Sequence, residues 1–311
     1  MNLSGATVLV TGGTGFLGRQ VVAELEEAGA KVAGVGTAHA DLRYRGEIDR
    51  LLDEVAPSAV VHLAAVTGGI GANRAQPGRF FYDNAIMGIE LLESCRVRGI
   101  EKVLVSGTVC SYPKYTPVPF REESLWDGYP EETNAPYGLA KKMLLVQSQA
   151  YRQQYGFNAI HLLVVNLYGP GDSFDLESSH VIPAMIRRFV EAHDSGASEV
   201  VLWGDGSPTR EFIYVRDAAS AIRLALEHYE GAEPVNIGSG REISIKELAE
   251  TVADAVGYTG AIEWDTTKPN GQPSRRLETS KARDLFGFEA GTDFRDGLAE
   301  TIAWYRALPG S

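Results

Sequence analysis

An α/β fold, with a doubly wound parallel sheet leading and a smaller α/β unit following, is predicted by three observations. Near-continuous apolar runs alternate with segments of helical period through the first half of the 311-residue chain. A glycine-rich turn, TGGTGFLG from Thr11 to Gly18, separates the first apolar run from the first helical segment. Beyond about Gly169 the alternation breaks into loops rich in Gly, Pro, Asp and Ser with shorter elements between them. Strands that are apolar along their whole length are buried on both faces, and the intervening helices supply the crossovers that parallel strands need.

In chain order, ATVLVTG reads as a strand and FLGRQVVAELEEAG as a helix ended by glycine. KVAGVG is a second strand, RGEIDRLLDEVAP a helix stopped by proline, and SAVVHLAA a third strand. RFFYDNAIMGIELLESCRVRG is a long helix and KVLVSGT a fourth strand. YGLAKKMLLVQSQAYRQQYG is again helical, and AIHLLVVNLYG reads as one further buried strand. SHVIPAMIRRFVEA, REFIYV, the helix DAASAIRLALEHYEG and the short strand PVNIGSG follow. The stretch from SIKELAETVADAVG to WYRAL reads as helical, interrupted by a loop around KPNGQP. These elements divide into a Rossmann-type dinucleotide domain, residues 1–168 plus about 212–239, and a smaller domain, about 169–211 and 240–311. No repeat or low-complexity segment is present.

Composition narrows the function classes. A hydrophobic share of 44% is enough for a large core. The formal charge of −12 weighs against a nucleic-acid partner, which leaves a basic footprint. No apolar run approaches the ~20 residues of a membrane helix, so no membrane partner is expected. Cys95 and Cys110 make no disulfide framework. MNLSGATVLVTGG runs straight into a strand without the layout of a signal peptide, so a cytoplasmic location is expected. No metal is assigned.

The turn Gly12-Gly13-Thr14-Gly15-Phe16-Leu17-Gly18 has the spacing G-x-x-G-x-x-G between a strand and a helix. Glycine lets the backbone turn tightly and approach a pyrophosphate, which the helix N-terminus attracts. The same turn can be purely structural; the strand-turn-helix context favours a cofactor. The end of the second strand reads Val35-Gly36-Thr37-Ala38-His39, without the carboxylate that grips a ribose 2′-hydroxyl. That leans toward NADP, although Arg43 and Arg45 lie too far on to be an obvious clamp for a 2′-phosphate. Asp41 and Leu42 are candidate adenine neighbours.

Tyr137 and Lys141 form Y-x-x-x-K at the start of a helix, which puts phenol and ammonium on one face. A nearby cation favours the tyrosinate and eases movement of the phenolic proton. Thr108, ending the fourth strand, supplies a hydroxyl for the same substrate oxygen. Alone, the pair would be a half-buried tyrosine and a surface lysine. With the glycine turn upstream, it reads as catalytic.

On these residues the sequence resembles the extended short-chain dehydrogenase/reductase family, and within it the fucose synthase branch. The resemblance covers nearly the whole chain. It rests on TGGTGFLG, HLAA, GGIGANRAQPGRFFYDN, GTVCSYP, APYGLAKK, NLYGPGDSFD, SSHVIPAMIRRF, WGDGSPTREFIYV, NIGSGREISI and KPNGQP. It implies NADP held by Gly12, Thr14, Gly15, Phe16, Leu17, Gly18, Asp41 and Leu42. The implied cofactor site takes in Leu63, Ala64 and Ala65 of HLAA, with Tyr137, Lys141, Asn166 and His180. It implies a homodimer. The family often has serine where Thr108 stands, and some members carry an arginine after the second strand that is missing here, which leaves cofactor preference open.

The resemblance further implies conversion of GDP-4-keto-6-deoxy-D-mannose to GDP-L-fucose by inversion at C3 and C5 and reduction of the C4 ketone. Cys110 matches the family's base and His180 its acid. Read without the family, Cys110 is a small core residue and His180 a structural histidine. Arg188 and Arg210 match substrate contacts, with Trp203 nearby, and Lys268 is a further cation for a GDP-sugar. Arg187 and Asn134 are weaker neighbours, and most arginines chosen at random are only solvated. A related nucleotide-4-keto-sugar epimerase or reductase, on a 6-deoxyhexose or a heptose, is the neighbouring alternative. A catalytically idle dinucleotide-binding regulator is the alternative of another class.

Overall fold

The structure, a computed structural model, describes residues 1–308 apart from 176–178, 269 and 271. The first half runs β1 (Thr7–Thr11), α1 (Phe16–Glu27), β2 (Lys31–Val35), α2 (Arg45–Val55), β3 (Ala59–His62), α3 (Ile70–Ala75), α4 (Pro77–Val97), β4 (Lys102–Thr108), α5 (Ala135–Tyr155) and β5 (Ala159–Val164). The second runs β6 (Asn166–Tyr168), α6 (Val181–Ser195), β7 (Glu199–Trp203), β8 (Thr209–Tyr214), α7 (Val215–His228), β9 (Val235–Ile237), β10 (Glu242–Ser244), α8 (Ile245–Val256), β11 (Ala261–Asp265), α9 (Ser280–Phe286) and α10 (Phe294–Arg306).

Six strands form one parallel sheet in the order β2-β1-β3-β4-β5-β9. β3 and β5 are buried at every position, as a sheet covered on both faces requires. One face packs on α1 and α7 through Val21, Leu25, Ala218, Ile222 and Leu226. Arg223 of α7 reinforces that contact by bonding Glu24 of α1 at 2.8 Å. The other face packs on α2, α4 and α5 through Ile48, Leu52, Leu91, Leu92 and Leu144. Strand order turns back between β1 and β3, and a ligand crevice forms outside the carboxyl ends of strands at such a point. The glycine turn lies there.

The run AIHLLVVNLYG is two strands. Val164 still pairs with Thr108 and Ile237 in the main sheet. From Asn166 the chain pairs with β8 in a second sheet, β10-β8-β6. Both halves are buried, so the apolar run carries no mark of the switch. β11 was also invisible to periodicity. It pairs in parallel with β7, and its five residues alternate with the exposure of a surface strand between helices. A second core of Ile186, Phe189, Leu202, Phe212, Leu248, Val252, Leu298 and Ile302 joins α6, α8 and α10 to β7 and β8. Among the described residues, no helix is long and apolar enough to cross a membrane.

Candidate active site

The cofactor cradle follows from close approach of two backbones. Gly12 has φ 74°, and a Cβ there would lie 2.8 Å from the Ala64 nitrogen. Only glycine lets the turn after β1 press against Leu63 and Ala64 beyond β3. α1 opens at Gly15 without a side-chain cap, so its first N–H groups face outward for an anion. The Arg19 Nε–H donates to the Thr14 carbonyl at 2.9 Å and steadies the turn. These residues fit the diphosphate of a dinucleotide. Asp41 is held by a bidentate pair with Arg43, 2.9 and 2.7 Å, and the guanidinium lowers its carboxyl below the ordinary value. Leu42 is buried in the core of the α2–α4 face, while Phe16, Leu17 and Ala65 keep intermediate exposure.

The reacting groups gather where β4 ends. Thr108 caps a single 3₁₀ turn, Val109–Ser111, its Oγ1 accepting the Cys110 N–H at 3.2 Å. The Thr108 hydroxyl hydrogen is left to donate, and the Tyr137 oxygen stands within its reach. The 3₁₀ turn docks on the first turn of α5, where the Ser111 hydroxyl donates to the Gly138 carbonyl at 2.9 Å. A Cβ on Gly138 would lie 2.8 Å from the Cys110 carbonyl carbon and nearer still to its oxygen. Gly138 follows Tyr137, so this contact brings the phenol to Thr108 and Cys110. Burial pushes the Tyr137 phenol up and the Cys110 side chain adds to that, while the hydrogen bond with Thr108 opposes both. One turn on, Lys141 is 3% exposed, and burial lowers its ammonium from 10.5 to about 8.

Register explains what lies beneath the lysine. Thr11, His62, Val105 and His161 are successive partners across β1, β3, β4 and β5 and therefore share one level of one face. His62 Nδ1 meets the Thr11 hydroxyl at 2.8 Å, and its Nε2 has no partner among the described residues. His161 Nε2 meets Ser148 of α5 at 2.8 Å. Burial, and then the charge of Lys141, holds the His62 imidazole well below its ordinary value and brings His161 down to about 3. Two neutral imidazoles thus underlie the Lys141 ammonium.

The remaining candidates come from the second half of the chain. His180 is the exposed N-cap of α6; crowding by protein lowers its imidazole although the ring keeps contact with solvent. Arg187 is taken up by Glu191 at 2.7 Å, whereas Arg188 donates to the Val201 carbonyl at 3.2 Å, beside Trp203. Lys268 stands 5.8 Å over the Trp203 ring, which is 66% exposed. Arg210 donates to the Thr209 carbonyl at 2.6 Å; burial and then Arg275 push it down to about 10. Asn166 spends its amide on the Glu211 carbonyl at 3.1 Å, and Asn134, at the N-cap of α5, bonds Glu131. Arg188, Arg210, Arg275 and Lys268 form no salt bridge among the described residues, an arrangement suited to an anionic ligand.

The NAD dependent epimerase/dehydratase family matches residues 8–238. GDP-L-fucose synthase 1 of Arabidopsis thaliana is 41% identical over 98% of this chain and 94% of its own. The chain belongs to the GDP-L-fucose synthase family. A GDP-L-fucose synthetase from Naegleria fowleri, bound to NADP, superposes on it with a TM-score of 0.89 at 29% identity, covering 98% and 96% of the two chains. A GDP-6-OMe-4-keto-L-xylo-heptose reductase from C. jejuni gives 0.91 at 25% identity, covering 97% and 98%.

Within this GDP-L-fucose synthase family member, sequence reasoning gave no role to two residues that the site brings in. His62 was read only as part of HLAA, and its place under Lys141 is set by strand register. Arg275 carries no role in the sequence reading, yet its Nη1 donates to the Cys110 sulfur at 3.8 Å across 165 residues. Nothing local marks a contact of that span.

Proposed function

We propose that the protein is an NADPH-dependent epimerase-reductase that converts GDP-4-keto-6-deoxy-D-mannose to GDP-L-fucose. The observation that carries this reading is the docking of the Thr108–Cys110 turn on Tyr137 through Gly138, which joins a thiol to the hydroxyl pair of a ketone reductase. The C4 ketone acidifies the hydrogens on C3 and C5. The Cys110 sulfur, as an anion, takes such a proton; the bonding pair passes into an enolate whose oxygen the Thr108 and Tyr137 hydroxyls meet. His180 returns a proton to the opposite face, which inverts the centre. Tyr137 then gives its proton to the C4 oxygen, with the Lys141 ammonium stabilising the tyrosinate left behind. When bound between the glycine turn and Lys141, NADPH supplies the hydride for C4. Arg188, Arg210 and Lys268 hold the diphosphate, with Trp203 beside them, and Asn166 orients the sugar and nicotinamide end.

The dimer belongs to the same proposal. α4 packs along α5, and their outer surface exposes Phe81, Tyr82, Met143 and Val146, a face for a second copy of the chain. The division at about residues 169, 212 and 240 is part of this reading; the core that joins α6, α8 and α10 supports it, while Ala282, Phe286 and Phe288 pack with the main sheet and Phe212 and Tyr214 with the second core. The free thiols Cys95 and Cys110 suit the reducing cytoplasm.

The test is to incubate the protein with GDP-4-keto-6-deoxy-D-mannose and NADPH in heavy water and identify the product. GDP-L-fucose carrying deuterium at C3 and C5 is expected. Cys110→Ser should retain hydride transfer but lose that exchange, giving a D-configured 6-deoxyhexose. A product reduced at C4 without inversion in the unaltered protein would reassign it to the reductases.

A further inference from the structure

The Arg275 guanidinium is fixed from two sides. Its carbonyl accepts the Glu211 N–H of β8 at 3.1 Å, and the neighbouring Pro273 carbonyl accepts the Thr209 N–H at 2.8 Å. On the other flank the Phe120 N–H donates to the Arg276 carbonyl at 2.7 Å, and the Glu278 N–H returns to the Phe120 carbonyl at 2.9 Å. Residues 273–278 thus run as a strap between β8 and the loop at Phe120. Beyond the backbone, Nε–H donates to the Gln272 side chain at 2.6 Å, and that amide donates in turn to the Lys114 carbonyl at 2.7 Å. What remains of the guanidinium points Nη1 at the Cys110 sulfur, 3.8 Å away. Arg210 crowds it as a second cation, and Glu131 supplies an opposing charge at longer range. A thiol surrounded only by carbon would give an anion no counter-charge; this one faces an N–H of a permanent cation.

We propose that Arg275 is the positioning cation of Cys110, holding and aiming the negative charge that the sulfur carries before it takes a proton from carbon and gives up to the enolate. This rests on the base role given to Cys110 above. The proton goes from carbon to sulfur and the electron pair to the enolate; Arg275 exchanges nothing and only sets the charge and direction of the sulfur. Inversion then depends on the C-terminal strap, whereas the hydroxyls of Thr108 and Tyr137 and the ammonium of Lys141 come from the first half of the chain.

Iodoacetamide reads the sulfur without substrate, since a thiolate is the form that it alkylates. Cys95 stays silent, being fully buried with its thiol pushed up to about 12. At neutral pH, Arg275→Gln should alkylate ~10-fold more slowly than the unaltered protein, Arg275→Lys should recover part of the rate, and Cys110→Ser gives the blank. Deuterium exchange at C3 and C5 should fall in the same order, with thermal midpoints unchanged. Unchanged alkylation in Arg275→Gln overturns the proposal, even if KM for the GDP-sugar rises, because Arg275 would then serve only the diphosphate. If the unaltered protein fails to exchange C3 and C5 hydrogens, the base role of Cys110 is wrong; the alkylation series still decides whether Arg275 governs the sulfur.

Discussion

Gly138 and Cys110 touch backbone to backbone, the α carbon of one against the carbonyl of the other. The contact leaves no room for a methyl group, so Gly138→Ala must push the 3₁₀ turn away from α5. Overpacking of this kind costs about 1–3 kcal/mol. The chemistry should suffer more than the fold, because Tyr137, Thr108 and Cys110 are separated together. We expect kcat to fall by ~100-fold with a thermal midpoint only a few degrees lower; an unimpaired kcat would show that the docking is not needed.

Tyr137→Phe removes one hydroxyl from a half-buried ring and should leave the fold intact. NADPH oxidation should disappear, since no other acid in these motifs is placed to give C4 its proton. Exchange at C3 and C5 should weaken but persist, as Thr108 still meets the enolate oxygen. Near-normal NADPH consumption by this variant would remove the tyrosine from the mechanism.

Lys141 has a folded value of about 8 against 10.5 for the free side chain, lowered by burial. Between those values the unfolded chain binds more protons, so its contribution to stability rises with pH across that window. Below the folded value the core carries a charge at a cost of up to about 3 kcal/mol. Cofactor-free Lys141→Met should therefore be inactive yet more stable than the unaltered protein at pH 7, with the advantage shrinking toward pH 10. Denaturant titrations at the two pH values check this, and kcat/KM of the unaltered protein should decline above about pH 8 as the ammonium is lost.

Asp172, in the loop that leads from β6 to His180, is the opposite case. Its Oδ2 is buried without a partner among the described residues, and burial raises the carboxyl from 3.8 to about 7, with the Ser173 N–H opposing. Between those values the folded chain holds more protons, so stability falls as pH rises through the window. Asp172→Asn should gain up to about 4 kcal/mol at pH 8 relative to the unaltered protein, and little at pH 4. An equal gain at both pH values would point to packing instead of charge.

The main sheet was legible in the sequence because burial on both faces writes each strand as an apolar run, as in VVH of β3 and LLV of β5. The glycine turn and the Tyr137–Lys141 spacing were legible because each is a local geometric demand. The switch at Val165 was not, since residues on either side are buried in different sheets with equal hydrophobicity. Nor was the row from Thr11 to His161, which depends on register between four strands, or the approach of Arg275 to Cys110. Spacing along the chain records helices and turns well; it holds no record of which distant strap crosses a strand end.

The strap that carries Arg275 has a consequence for synthesis. Chain growth proceeds at about 5–20 residues per second, so the 165 residues between Cys110 and Arg275 take on the order of ten seconds to make. During that interval β1 to β5 can already pair, since their strands lie upstream. The sulfur meanwhile has no guanidinium beside it. A nascent chain therefore holds most of a sheet and a hydroxyl pair before its thiol has a neighbouring cation, and the site is complete only once the strap has left the ribosome and settled between β8 and the loop at Phe120.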